Sequence, residues 1–249
     1  MRLAFDIETN GLLDQLDTVH CIVAKDLDTG EFHSFDPTRI PHALELLSRA
    51  EELVGHNIMG FDLPALQIVY PDWVYTGRVT DTLVLSRLIH NDLLAEDFAK
   101  NYTDDQLPKR LHGSHSLKAW GLRLLNFKDD YDGGWSDWSE EMQSYCQQDV
   151  EVTASLYAHL KVDEYSSTAI DLEHDLAAIC EEIGDNGWTF DEKKAGILYG
   201  DLCQQRGALQ EELQELFEPW EVYETIVPKV NNSKLGYVKG EPFTKTKVV

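Results

Sequence analysis

Positive charge is scarce in this sequence: 21 Lys and Arg stand against 45 Asp and Glu, leaving a formal net charge of −24 at pH 7. A protein that grips long duplex DNA through its phosphates carries a basic surface, so that mode of binding is excluded for the chain acting alone. The charge leaves two readings open: a protein that engages only a few terminal nucleotides through bound cations, or one of acidic ligand chemistry such as calcium binding. Cysteine is equally sparse. Cys21, Cys146, Cys180 and Cys203 lie far apart with no C-x-x-C pair, which argues against a disulfide framework or a zinc site and for reduced, partly buried fillers. His112 and His115 are three apart, but no acid or cysteine ligand stands at matching spacing. No window approaches the run of about 18 apolar residues that a membrane helix needs, and the start Met1-Arg2-Leu3-Ala4-Phe5-Asp6 meets acid too soon for a signal peptide. The expected location is cytoplasmic.

What is present is a globular composition, 43% hydrophobic over 249 residues, enough for one well-buried domain and a smaller appendage. Residues 2–8 alternate, with Leu3, Phe5 and Ile7 on one face and Ala4, Asp6 and Glu8 on the other, which is the period of a strand. Residues 19–25 and 31–35 read as two more strands about a turn at Asp28-Thr29-Gly30, an antiparallel opening of three. Helical periodicity over 41–53 ends in a short buried strand, Leu53-Val54-Gly55. Helix, strand and helix follow at 62–69, 78–80 and 81–90, with Asp81 as the cap of the last. The polar, aperiodic stretch 91–112 is expected to be a long surface loop. Helices resume at 116–125 and 139–160. This order predicts an α/β fold, a ribonuclease-H-like mixed five-stranded sheet flanked by helices. Two further helices, 174–183 and 192–216, bridged by the turn Asp185-Asn186-Gly187-Trp188, read as a helical appendage. The tail from 226 carries Lys229, Lys234, Lys239, Lys245 and Lys247 against Glu241, so it is net +4 and the preceding chain is −28 (−24 minus 4). A basic tail of this kind is expected to be a flexible arm. The expected organisation is 1–168, 169–225 and 226–249.

Three short acidic motifs carry the chemistry. Asp6 and Glu8 project to one side of their strand and can share a cation. A lone D-x-E on a strand is more often a solvated face, by about three to one, but this strand is apolar on its other side and reads as central. In Asn57-Ile58-Met59-Gly60-Phe61-Asp62 a strand end gives way to a helix whose first turn holds Asp62, for which an N-cap role is the plain alternative. In Tyr145-Cys146-Gln147-Gln148-Asp149, positions i and i+4 share a helix face, and Val152 and Leu156 continue that stripe inward. A buried carboxylate needs a partner or a metal.

This trio resembles the three exonuclease motifs of the DEDD superfamily, in its tyrosine-bearing subgroup. The histidine-bearing subgroup places a His five residues before the last Asp, where Ser144 stands. The stretches 81–90 and 115–121 resemble the proofreading domain of family A DNA polymerases, of the bacteriophage replicative T-seven type. The resemblance covers residues 1 to about 220, and the segment from Asn186 to Asp191 is similar to the connection by which those polymerases enter the thumb. Nothing resembles palm or fingers motifs, so the chain is not expected to polymerise DNA, whether it is a truncated piece or the exonuclease half of a polymerase made as separate chains.

The resemblance implies a 3′-to-5′ exodeoxyribonuclease using two divalent cations, Mg2+ or Mn2+. Asp6, Glu8 and Asp149 would hold one, with Asp6 bridging to a second held by Asp62, and Tyr145 would position the attacking water. Leu12 and Leu13 would wedge the last bases, Asn57 would orient the terminal nucleotide, and Phe61 either joins them or lies in the core. Lys118, Arg123 and Lys128 are candidate guides for the strand, or parts of a solvated helix face. The implied partners are a single-stranded DNA 3′ end and a polymerase domain or subunit, with no membrane. A thioredoxin-type factor is not expected, because its contact lies on the missing thumb. Two alternatives remain: a ribonuclease D-like 3′-to-5′ exoribonuclease, and an inactive docking module that kept an acidic groove.

Overall fold

Leu3, Phe5 and Ile7 point one way from strand β1 (Arg2–Thr9) and Ala4 the other, and all four are buried, which makes β1 the middle of a sheet covered on both faces. The structure, a computed structural model, describes residues 1–126, 131, 133–217, 221–228 and 237–248. Lys128 lies outside them. β2 (Val19–Asp26) pairs antiparallel with β1, and β3 (Phe32–Phe35) antiparallel with β2. On the other side β4 (Glu52–Gly55) pairs parallel with β1, and β5 (Arg78–Asp81) parallel with β4. The order is β3-β2-β1-β4-β5, the mixed five-stranded sheet expected of a ribonuclease-H-like fold.

Parallel neighbours need crossovers. Helix α1 (Ile40–Ser48) leads into β4 and α2 (Asp62–Val69) carries the chain from β4 to β5. α1 starts with Pro41 in its first turn, where a missing N–H costs nothing, and buries Ile40, Ala43, Leu44 and Leu47 at helical spacing. These side chains join Leu3, Phe5, Ile7, Ile22, Leu53 and Leu66 in one core, each large apolar group contributing about 1.5–3 kcal/mol by burial. After β5 come α3 (Thr82–Ile89), α4 (Leu93–Lys100), α5 (Leu117–Arg123), α6 (Glu140–Leu160) and α7 (Ser167–Asn186). α6 covers the opposite face of the sheet, packing Met142, Cys146, Val150 and Ala154 on Ala4, Cys21, Val23 and Val54.

The stretch expected to be a long loop, 91–112, contains α4. Asp92 caps it, with its side chain accepting from Ala95 N, and Asn101 closes it in the left-handed region. Its anchor is Asp97, fully buried and bonded by Arg123 Nε at 2.9 Å and Nη2 at 2.7 Å. Arg123 also donates to the Ser114 and Leu111 carbonyls. It is therefore neither a guide for substrate nor part of a solvated face. Burial alone would raise the Asp97 carboxyl, but hydrogen bonds from Arg123 and from Gly113 N–H outweigh it and hold the group below the ordinary carboxylate range.

The chain forms two compact units, Met1–Gly187 and Trp188–Val249. α7 thus belongs to the first unit, whereas its C-terminal part, 174–183, read as appendage from sequence. Its Ile170 is buried with Leu85, Trp120 and Leu156, and Arg78 reaches Asp171 at 3.3 Å. The second unit holds α8 (Glu192–Leu216) and an antiparallel pair, β6 (Glu221–Ile226) and β7 (Phe243–Val248). Of the tail expected to be a flexible arm, Phe243–Val248 form β7, paired antiparallel with β6, and Glu224 faces Lys245 in register. Among the described residues, no helix is long and apolar enough to cross a membrane.

Because Arg123→Ala leaves Asp97 buried and uncompensated, it is expected to cost about 3–5 kcal/mol, read as a lower urea midpoint. The double change Arg123→Met/Asp97→Leu recovers most of the loss. The share of stability held by the pair is present at neutral pH and disappears as pH falls below about 3.9 toward the depressed Asp97 value. A midpoint unaffected by Arg123→Ala would show that the pair does not anchor α4.

Candidate active site

Asp6 and Glu8 leave β1 on the face that α6 covers, opposite Val23 and Cys21 of β2. One ligand atom each from Asp6, Glu8 and Cys146 of α6 lie within 4.8 Å of one another. The thiol of Cys146 donates to the Asp6 main-chain carbonyl at 3.4 Å, tying helix to strand beneath the carboxylates. Pairing with β2 shifts between Glu8 and Thr9: Glu8 faces Cys21 and Thr9 faces Val19, so His20 is the extra residue of a β-bulge.

The second motif begins where β4 ends. A Cβ on Gly55 would stand 2.7 Å from the Ile58 Cβ, so only glycine allows the chain to fold back this closely. Asn57 follows in the left-handed region at φ 63°. Asp81 holds this turn: its carboxylate accepts from Asn57 N at 2.9 Å and Met59 N at 3.2 Å while capping α3 through Leu83 N at 2.8 Å. The expected cap role is thus met and enlarged. His174 of α7 donates from Nδ1 to the Ile170 carbonyl, which leaves Nε2 to accept the Asp81 N–H at 2.8 Å. The turn delivers Asp62 to the first residue of α2, 4% exposed, with Oδ1 lacking any hydrogen-bond partner. Burial first, then the charges of Asp6 and Asp81, push its carboxyl well above the ordinary range.

Ser139 caps α6 by accepting from Met142 N at 3.1 Å, with Glu140 and Glu141 in the first turn suiting the dipole. Within that helix Tyr145 and Asp149 stand one turn apart, on either side of Cys146, and Asp149 is 6% exposed. Tyr145 lies at the edge of an aromatic cluster with Tyr131 (centroids 5.7 Å apart) and Trp135 (6.3 Å).

A cavity of about 420 Å3 opens beside Glu8 and is lined also by Thr9, Asn10, Gly11, Leu12, Gln15, Phe61 and Trp135. It contains Leu12 and Phe61 of the expected substrate contacts, with Leu12 70% exposed at its rim. Leu13 instead packs on the main core, and Asn57 lines a separate hollow with Met59, Gly60 and Arg87. Trp135, which also lines this cavity, was not singled out from sequence.

Taken chemically, these are hard oxygen donors crowded at low dielectric, a set suited to Mg2+ or Mn2+ rather than to a soft metal. The orphaned, buried Asp62 oxygen beside Asp6 fits such a cation, since a positive charge there would relieve what burial and repulsion impose. Fold and donor set together define a nuclease-type domain, a mixed sheet with helices on both faces. A profile of the ribonuclease H superfamily matches residues 3–161, and the chain belongs to that superfamily. It is 33% identical to the DNA-directed DNA polymerase of Enterobacteria phage T3 over 264 residues, 88% of this chain and 37% of that protein. The corresponding enzyme of Escherichia phage T7 is also 33% identical, over 86% of this chain and 37% of its own length. The chain thus spans little more than a third of these relatives. Among solved structures, the apo form of a nuclease superposes with a TM-score of 0.47 at 20% identity, covering 73% of this chain and 79% of that one.

Between the ordinary carboxylate pKa near 3.9 and the raised value of Asp62, the folded state holds a proton that the unfolded state releases, so stability falls as pH rises through that window. Asp62→Asn is therefore expected to raise Tm in chelator at neutral pH, by about 2–4 °C for each kcal/mol relieved. It should also flatten the decline of Tm with pH. Identical melting of the two proteins in chelator at neutral pH would contradict an uncompensated charge at this position.

Proposed function

We propose that the chain is a 3′-to-5′ exodeoxyribonuclease, the proofreading part or subunit of a phage-type DNA polymerase. The observation that carries this reading is the close approach of Asp6 and Glu8 near the end of β1 under α6, with buried Asp62 near enough to feel the charge of Asp6, in a chain of this superfamily. The similarity to phage DNA polymerases supports DNA as the substrate and a polymerase as the neighbour.

In this reading Asp6, Glu8 and Asp149 hold one divalent cation and Asp62 helps to hold a second. When bound, such a pair supplies Lewis-acid charge to the phosphoryl oxygens and lowers the pKa of water. Tyr145 orients that water through its hydroxyl; a phenol with pKa near ~10 is a poor base at neutral pH, so orientation is its task. Water adds to phosphorus, the bond to the 3′ oxygen of the penultimate nucleotide breaks, and that oxygen takes a proton as a nucleoside 5′-monophosphate departs. Leu12 and Phe61 border the space beside Glu8 where the terminal base would lie, so that binding relies on a few neutral contacts in a chain of net charge −24.

The decisive experiment is digestion of 5′-labelled single-stranded and 3′-recessed DNA, with a matched RNA, in magnesium, in manganese and in chelator. A metal-dependent ladder shortening DNA from the 3′ end, absent from Asp6→Ala/Glu8→Ala, is expected; preferential digestion of RNA, or no ladder, would overturn the reading. Tyr145→Phe should reduce kcat by roughly 10²-fold or less, and Asp6→Ala by more; equal losses would remove the assigned ranking. Binding of a primer-template to the isolated chain at physiological salt should be weaker than micromolar, since the phosphates meet few cationic side chains. A sub-micromolar Kd by fluorescence anisotropy would count against this.

A further inference from the structure

The wall of the cavity beside Glu8 includes a residue from outside the three acidic motifs. Trp135 lies in the segment before α6, and its ring, 43% exposed, faces the same space as Leu12 and Phe61. It is held from two sides. The bulge between β1 and β2 turns His20, only 4% exposed, so that its Nε2 donates to the Trp135 carbonyl at 2.9 Å. The indole meets Tyr131 edge-on, with centroids 4.8 Å apart at 67°, and Tyr145 at 6.3 Å and 78°, both geometries favoured by the ring quadrupoles. Tyr131 is itself fastened, its hydroxyl donating to the Gly134 carbonyl at 3.0 Å, and it packs on the core beneath α6. A bulge beside a functional carboxylate that re-aims a side chain is a recurrent device. Here it fixes the height of an exposed aromatic surface above Glu8. An indole kept half bare at such a site is costly to solvate and well suited to a flat π-surface.

We propose that Trp135 is the stacking platform for the terminal nucleobase of the substrate strand, facing Leu12 and Phe61 across the cavity. The proposal rests on the nuclease reading above and adds to it the source of the base contact. Stacking on an aromatic ring is tolerant of base identity, which suits an enzyme that must accept any 3′-terminal nucleotide. It is also insensitive to the net negative charge of the chain, because it recognises the neutral part of the nucleotide. The contact between Trp135 and Tyr145 makes the base platform and the hydroxyl that faces the water parts of one aromatic wall.

The test uses the full chain in manganese and 5′-labelled single-stranded DNA ending either in an ordinary nucleotide or in an abasic one. Wild type should hydrolyse the abasic end with a kcat/KM about tenfold lower, within the range that one stacked base contributes. Trp135→Ala should lose about the same factor on the ordinary end, chiefly through KM, and nothing further on the abasic end, while Trp135→Phe should recover most of it. A 3′-terminal 2-aminopurine, bound in calcium, gives a readout independent of turnover: its fluorescence should be quenched by wild type and by Trp135→Phe, and not by Trp135→Ala. Equal rates of wild type on ordinary and abasic ends, or equal quenching by wild type and Trp135→Ala, would overturn the platform and leave the nuclease reading standing. Failure of wild type to cleave any DNA or RNA would overturn the parent reading instead. The comparison of ordinary with abasic ends in wild type does not depend on how any variant folds.

Discussion

Like charge packed together at low dielectric is the constraint around which this domain is arranged. Asp62 is buried with Asp6 and Asp81 as the charges that act on it, and one of its oxygens meets no donor. Burial of this kind is tolerated only where the surrounding structure is firmly determined and a cation can be accepted. The fold meets the first condition at each point. β1 is paired with β4 through Ala4 and with β2 through Thr9, and covered on both faces, which limits how far Asp6 and Glu8 can move apart. The turn before Asp62 is fastened by two of its N–H groups, from Asn57 and Met59, on the Asp81 carboxylate that also caps α3, and Asp81 is in turn held by His174. α6 is tied to β1 by the Cys146 thiol. Donors from three separate stretches of chain are thereby held by elements of regular structure rather than by loops.

Under the proposed nuclease reading, the same arrangement reconciles a chain of net charge −24 with a polyanionic substrate. Of the cationic sequence candidates, Arg123 is spent in the core on Asp97, and Lys118 stands half-buried on α5. Cations recruited by the carboxylates and apolar or aromatic contacts to a base are the two kinds of recognition left to such a surface. The cavity beside Glu8, with Leu12, Phe61 and Trp135 around it, offers the second.

Much of this was legible beforehand. The strands at the start, the helices after Asp62 and Asp81, and α6 follow from period and capping residues, and the motif pairs follow from the two-residue and four-residue repeats that place side chains on one face. α4 escaped notice because its anchor is an ion pair between residues 26 apart in sequence, which no local pattern contains. α7 was divided from the first unit because what ties it there is non-local: His174 accepts from the backbone N–H of Asp81, 93 residues away. Leu13 was grouped with its neighbour Leu12, but the chain turns between them and sends one to the rim and the other to the core. β7 was hidden by its lysines, which mark a solvated strand edge as readily as a free tail.

The sequence by itself determined the fold class, the order of elements and the identity of the acidic and phenolic side chains, because periodicity and spacing are local properties of the chain. Only the tertiary structure decided which of those side chains are deprived of solvent and partners, and which residues complete the wall around them. Burial of Asp62 depends on a helix and a sheet meeting above it, and the setting of Trp135 depends on a bulge between two strands more than a hundred residues earlier. Desolvation and non-local packing arise only once distant segments share one space, and for that reason no stretch of sequence read alone contains them.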